Sequence, residues 1–423
     1  MVRRIVTDYY STTQRFSANA RRLLAATMLA WVGLSVSAVV FNLYLVAGGY
    51  AEDFVGVVTS MQGIGMALTA LPAGWAADRF GRPALLRAGT ATIALALLLR
   101  GLSLDPRALF AATFLLGSGQ AMITIAASPF MSENSLEYER THLFSMHFVV
   151  VLLGSIVGNL MGGELPGILE RHAAMLAASP LLAFRWTLAA GAAVTALALF
   201  PLASVHEARV KPADAPPPAR VRDHAGLLWR LALNFALLGL GAGLIMPFFN
   251  LYFVRRYGAS ASQIGIYFSV AQVITLVATL AGPLVARRLG KLRAITVLQL
   301  ASLPFLVTLG FETTLAISVL AFWGRSAFMQ MSSPLFNSYA MDAVPPALRA
   351  RAHGLNNMVW YLGWAASSAL AGLVIARLGW AYPYYLTAVL YGAATLTLWY
   401  NFRSVAEDGG RIRATSPREG TAP

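Results

Sequence analysis

Apolar runs of 18 or more residues recur from one end of this chain to the other, and no other feature restricts its fold so severely. Each is long enough to cross a hydrocarbon layer roughly 30 Å thick. Backbone placed in such a layer must satisfy its own hydrogen bonds, which leaves helices or a closed barrel. The runs are continuous and rich in Leu, Ala and Val instead of alternating, so a barrel is excluded. Charged residues make up only 12% of the 423 positions, against roughly 25% in a soluble domain. The pattern predicts an all-α polytopic membrane protein with 12 transmembrane helices, over 23–47, 54–76, 84–103, 108–131, 143–163, 182–205, 226–253, 262–286, 294–311, 314–337, 353–377 and 383–402.

A net charge of +14 would suit a nucleic-acid binder if it were gathered on one surface. Its distribution follows the membrane instead. With both termini cytoplasmic, 24 Lys and Arg fall in cytoplasmic segments and 7 in outer ones (Arg100, Arg107, Arg171, Arg185, Arg255, Arg256, Arg377), while Arg325 lies within a helix. This is the positive-inside bias, and it accounts for the basic balance without a nucleic-acid partner. The lack of cysteine removes disulfides and thiolate metal sites. Residues 1–22 are polar and basic, with no short apolar core followed by a cleavage site. They are read as a cytoplasmic tail, and the first helix as an uncleaved anchor. The Ala- and Arg-rich composition suits a bacterial inner membrane.

The charged, proline-rich stretch HEARVKPADAPPPARVRDH, starting at His206, separates six helices from six. The expected organisation is an N-terminal tail (1–22), a six-helix bundle (23–205), a linker (206–225), a second bundle (226–402) and a C-terminal tail (403–423). The bundles resemble each other. FNLYL at Phe41–Leu45 returns as FNLYF at Phe249–Phe253. Gly81 and Gly290 differ by 209 positions, as do Glu133 and Asp342, Arg140 and Arg349, and Gly154 and Gly363. So constant an offset implies a duplicated six-helix unit, hence two pseudo-symmetric bundles.

After the second helix the chain reads GWAADRFGRP, from Gly74 to Pro83. Its physical content is a tight turn at Gly81 with opposed charges packed between helix ends. The loop resembles the hallmark of the major facilitator superfamily, a glycine, three residues, then Asp-Arg-x-Gly-Arg. Gly74, Asp78, Arg79, Gly81 and Arg82 all match. In the second bundle Arg287 stands where Asp78 does, while Arg288, Gly290 and Lys291 keep the rest. Helix 4 ends with Glu133, then six residues and Arg140; helix 10 ends with Asp342, then six residues and Arg349. These resemble the cytoplasmic acid–arginine pairs of the same superfamily, seen especially in sugar porters. Glu133 is expected to pair with Arg79, Arg82 or Arg140, and Asp342 with Arg287, Arg288 or Arg349, as latches that part when the halves rock. Solvated loop charges are the alternative. In helix 5, Gly154, Gly158 and Gly162 recur every fourth residue and Gly163 follows, a spacing that lets two helices approach closely. The stripe also resembles the signature of proton-driven drug exporters in the superfamily, except that Asn159 stands where that signature has proline.

The resemblance implies a central cavity lined by helices 1, 4, 7 and 10. Arg325 falls near the middle of helix 10. A mid-membrane arginine costs about 2.5 kcal/mol or more, so a functional role is the default, with an anionic substrate group as the simplest partner. A structural arginine bonded to carbonyls or to Gln120 is the alternative. Asn42, Tyr44, Asn250 and Tyr252 occupy matching places near the outer ends of helices 1 and 7, where they would bond a substrate or bond the helices to each other. Gln120, Asn357 and Trp360 are further substrate-binding candidates, alongside Gln62, Gln272, Asn356 and Trp323. All 18 acids map to loops or helix ends, so His147, Glu133 and Glu164 are the candidates for proton coupling.

No nucleotide-binding loop, metal cluster or nucleophilic triad stands out, so no enzyme, metal or cofactor is expected. The resemblance implies a monomeric secondary transporter working by alternating access, with a small-molecule substrate, protons and membrane lipid as partners. Proton-linked export of a drug or metabolite leads the expectations. An importer or facilitator of a sugar or organic anion comes second, and a non-transporting membrane receptor on the same fold third.

Overall fold

The computed structural model describes residues 16–172, 179–207 and 221–415. It contains 12 long helices: α1 (Ala18–Ala47), α2 (Glu52–Phe80), α3 (Arg82–Leu102), α4 (Pro106–Glu133), α5 (Glu137–His172), α6 (Pro180–Leu197), α7 (Ala225–Ile245), α8 (Ala261–Leu289), α9 (Lys291–Gly310), α10 (Leu315–Asp342), α11 (Arg349–Leu378) and α12 (Ala381–Thr415). A short helix, Leu199–Ala203, extends α6. A turn at Met246–Phe248 joins α7 to its outer segment, Phe249–Tyr257; Pro247, lacking an N–H, sits at that break. Among the described residues, ten spans are long and apolar enough to cross a membrane. The other two, α10 and α12, are 28 and 35 residues long but more polar, α10 carrying Arg325, Gln330 and Asn337.

Helix ends obey capping chemistry more than hydropathy. The Ser17 hydroxyl accepts from the Ala20 N–H, so α1 starts at Ala18, ahead of the apolar run at 23. Asp105 caps α4 through the N–H groups of Arg107 and Ala108. Ser260 and Gln263 form a reciprocal capping box at α8. At the other extreme, α5 overruns its apolar span at both ends and α12 continues to Thr415, into the expected tail. Gly81 and Gly290 break α2 from α3 and α8 from α9 with nearly the same backbone, φ +88° and ψ 153° against φ +80° and ψ 154°. That conformation requires glycine.

Each set of six helices packs by one scheme. In the first, α1 lies against α5 and α6, α3 against α4 and α6, and α2 against α4. Adding six to every label gives the contacts of the second: α7 with α11 and α12, α9 with α10 and α12, and α8 with α10. The halves meet along two seams, α2 with α11 and α5 with α8, and the same relabelling exchanges them. Both seams are tightest at paired glycines. A side chain on Gly56 would meet the Gly372 nitrogen at 3.1 Å, and one on Gly163 would meet the Gly265 Cα at 3.1 Å. Gly56 is 209 positions before Gly265, and Gly163 is 209 before Gly372, so the two crossings are symmetry mates.

Candidate functional site

Between the halves lies a cavity of about 630 Å³. Its wall draws on more helices than α1, α4, α7 and α10: Gln62 comes from α2, Asn159 from α5, Gln272 from α8 and Gln299 from α9. Among the described residues two arginines line it, Arg325 from α10 and Arg100 from α3, and no carboxylate does. Each arginine is almost wholly buried, at 4% and 3% exposure. Arg325 donates from Nη2 to the Tyr391 hydroxyl at 3.3 Å, so the partner is neither a carbonyl nor Gln120. Arg100 donates from Nε to Thr113 Oγ1 at 3.1 Å and from Nη1 to Ser37 Oγ at 3.3 Å. One nitrogen on each, Arg325 Nε and Arg100 Nη2, is buried and bonds to no protein atom among the described residues.

Each guanidinium faces an aromatic ring. Arg100 stands 3.9 Å from the Phe41 centroid and Arg325 stands 5.6 Å from that of Phe249. These are the first residues of the repeated FNLY motif, so the rings are symmetry mates although the arginines are not. A ring face offsets part of the desolvation of a buried cation, about 0.5–2 kcal/mol. It supplies no counter-charge. Arg100 corrects the sequence reading, which assigned it to the outer segments: it turns inward from the last turn of α3. Its hydroxyl partners, Ser37 and Thr113, lie on two other helices, and no local pattern links them to it.

The other predicted substrate residues divide. Gln120, Asn357 and Trp360 line the cavity. Gln120 accepts from Gln62 Nε2 at 2.8 Å, and Asn357 lies 3.0 Å from His353 Nε2. Asn42, Tyr44, Asn250 and Tyr252 do not line it; they are buried in bonds between helices. Asn42 Nδ2 donates to Asn250 Oδ1 at 3.1 Å and to the Pro247 carbonyl, and Asn250 Nδ2 donates to the carbonyls of Ala38 and Val39. Tyr44 donates to the Gly101 carbonyl at 3.3 Å, and Tyr252 matches it with the Leu309 carbonyl at 2.8 Å.

The Asn42–Asn250 clasp lies toward the face opposite the Gly81 and Gly290 turns. Two more polar ties join the halves there. Arg255 donates to Glu52 at 2.7 Å, and Ser262 donates to Glu164. Glu164 is therefore committed to α8 and does not face the cavity. On the loop face the charges pair within each half. Arg82 lies 3.6 Å from Asp78, 3.3 Å from Glu133 and 3.9 Å from Glu207 of the linker. Arg79 stands near the Trp75 and Phe80 rings, and Gly74 has open space beside it. Asp342 pairs with Lys291 at 2.6 Å, not with Arg287, Arg288 or Arg349. Lys291 is the residue that follows the Gly290 turn, so its amine starts beside the end of α10. Arg288 is exposed. Arg140 donates to the Ser132 carbonyl and Arg349 to that of Met341, each eight positions back, so both close a helix end. The stripe of Gly154, Gly158 and Gly162 packs on α1: side chains at Gly154 and Gly162 would meet the Met28 and Val36 carbonyls at 2.8 and 3.0 Å.

A second chamber, of about 480 Å³, opens from the cavity toward the loop face. Trp31, Leu34, Gln62, Gln120, Trp360 and Tyr361 belong to both walls. His147 lines the chamber, and Glu133 lines neither space.

The profile of the Major Facilitator Superfamily matches residues 23–368 and, again, 231–422. The chain belongs to the Major Facilitator Superfamily. As a superfamily member it is a multi-pass membrane transporter, and its nearly all-helical architecture follows that fold. Among curated proteins, none matches it in sequence. Solved structures show the same architecture at low identity. A bacterial homologue of the human lysosomal transporter Spinster, inward-facing and occupied, superposes with a TM-score of 0.73 at 15% identity, over 92% of this chain and 97% of that one. A D-xylose-proton symporter gives 0.72 at 14% identity, over 90% and 97%. The human organic anion transporter MFSD10 gives 0.64 at 17% identity, over 90% and 99%.

Proposed function

We propose that this superfamily member carries a small organic anion across a bacterial inner membrane, binding it between Arg100 and Arg325. One observation carries the reading: among the described residues two buried guanidiniums line the central cavity, each keeps an unpaired nitrogen, and no carboxylate lines the wall. A buried cation without a counter-charge is costly, and a bound anion relieves that cost at both residues. Arginine also presents a planar donor fork that fits carboxylate and phosphate oxygens. Export of cationic drugs has less support, because the cavity wall offers no acid to hold a cation. The neighbour described as an organic anion transporter agrees with this choice, while its low identity lends only the fold.

The positive-inside bias assigns the loop face to the cytoplasm. The clasps at Asn42–Asn250, Glu52–Arg255 and Glu164–Ser262 then close the outer side, and the chamber leads inward. This arrangement is an inward-open state of an alternating-access cycle. Arg82, held within its own half by Glu133 and Asp78, exchanges these partners for groups of the other half when the loop face closes. Flux into proteoliposomes tests the reading against both alternatives. Radiolabelled organic anions should enter with wild-type protein and not with Arg325→Gln, while sugars and organic cations should not enter. Binding without flux would make the chain a receptor; flux of neutral or cationic solutes alone, unchanged in Arg325→Gln, would remove the anion assignment.

A further inference from the structure

The cavity is two compartments of opposite character sharing one wall. The central one carries both arginines and a set of amides. The chamber beside it is bounded mainly by apolar side chains such as Leu23, Met66, Ile93, Val151 and Leu202, with His147 and a few hydroxyls between them, and among the described residues no Asp, Glu, Lys or Arg lines it. At the junction stand Trp31, Trp360 and the hydrogen-bonded pair Gln62 and Gln120. A hydrophilic anion such as a short dicarboxylate would use the first compartment and leave an apolar space of about 480 Å³ beside it. That volume is itself in the range of a complete small-molecule pocket, roughly 300–1,000 Å³.

We infer that the transported anion is amphipathic, with its charged head between Arg100 and Arg325 and a single alkyl or aryl body in the apolar chamber. The inference rests on the anion reading above and adds the second subsite. Apolar surface entering the chamber leaves water, so affinity should grow with the length of the body. The increment is about 0.8 kcal/mol for each buried methylene, or roughly fourfold in Kd. The Gln62–Gln120 hydrogen bond occupies one donor and one acceptor at the junction, so a methylene chain passing there desolvates fewer free polar groups. Trp31 and Trp360 offer flat apolar faces at the same place.

The test is a homologous series of straight-chain carboxylates from hexanoate to dodecanoate, below their micellar concentrations. Binding is measured calorimetrically to the full chain in nanodiscs of zwitterionic lipid, with empty discs subtracted. Wild-type Kd should fall about fourfold per methylene and level off once the chamber is filled. Thr124, which lines the chamber and is exposed to it, is the place for a plug. Thr124→Phe should remove most of the length dependence while hexanoate binds as before. Val151→Phe, reaching in from α5, should shorten the same slope and guards against a folding failure of the first variant. Arg325→Gln should weaken the whole series equally and leave the slope intact. A flat wild-type series that weakens in Arg325→Gln would overturn the chamber assignment and leave the anion reading standing. A slope that survives both plugs would also overturn it. Carboxylates of every length binding equally well to wild type and Arg325→Gln would sink the anion reading itself.

Discussion

The two halves of this transporter are alike in backbone and unlike in charge. Their helices pack by one scheme, their loop-face turns at Gly81 and Gly290 share a backbone, and Tyr44 and Tyr252 each donate to a carbonyl in the last turn of the third helix of their half. Yet the first half sends a guanidinium into the cavity from α3 and the second from α10. On the loop face, Arg82 gathers three carboxylates where Lys291 has one. Duplication preserved what packing demands and released what only chemistry uses. The retained positions include seam glycines, motif aromatics and helix-end arginines, while the two arginines that differ face the cavity.

Substitutions made in pairs across the halves test this division. The largest effect is expected at the unlike arginines. Arg100→Gln and Arg325→Gln should each weaken anion binding roughly 10- to 100-fold, the loss of about 1.5–3 kcal/mol typical of a charged hydrogen bond. Equal losses by calorimetry would mean that the two cations act on one ligand despite their different helices; a loss at Arg325 alone would make Arg100 a scaffold residue. Next come the like glycines. Gly56→Val and Gly265→Val should lower the melting temperature by matching amounts, since each forces a side chain into backbone across a seam at about 1–3 kcal/mol. A drop at only one would break the symmetry of the seams.

A smaller contrast is expected at the turns. Gly81→Ala and Gly290→Ala each place a side chain at positive φ, costing about 1–2 kcal/mol. Gly81 should cost more, because its added carbon would meet the Glu207 carboxylate at 2.7 Å while Gly290 faces open space. Thermal melts read the difference, and equal melts would show that Glu207 simply moves aside. The smallest effect is expected at the exposed pair Lys291–Asp342, where Asp342→Asn should shift stability by no more than about 0.5 kcal/mol. Glu133→Gln, which takes one carboxylate from the Arg82 cluster, should shift it more in the same melts.

Much of this fold can be read in the sequence because lipid leaves a backbone few choices. Continuous apolar runs announce the helices, and the FNLY repeat announces the duplication. Arg325 is legible because no other charged residue stands between Glu312 and Asp342. Arg100 is not, for it stands two residues from the end of α3. There a long side chain can reach outward to water or inward to Ser37 and Thr113, and only the packing of α1 and α4 decides. Asn42 and Asn250 look like ligand residues in the sequence because both are polar in apolar helices. Their partner turns out to be each other, across an interface that no single-helix pattern displays. Asp342 meets Lys291 rather than an arginine because the turn at Gly290 presents that amine first.

The glycine crossings have a mechanical consequence. At Gly56–Gly372 and Gly163–Gly265 backbone touches backbone with no side chain between, at two points related by the molecular pseudo-twofold. Both crossings stand beside the polar ties between the halves, Gly163 next to Glu164 and Gly372 against the backbone of Glu52. Flush backbone seals that face without interlocking side chains. A separation there has no knobs to withdraw and little apolar surface to expose to water.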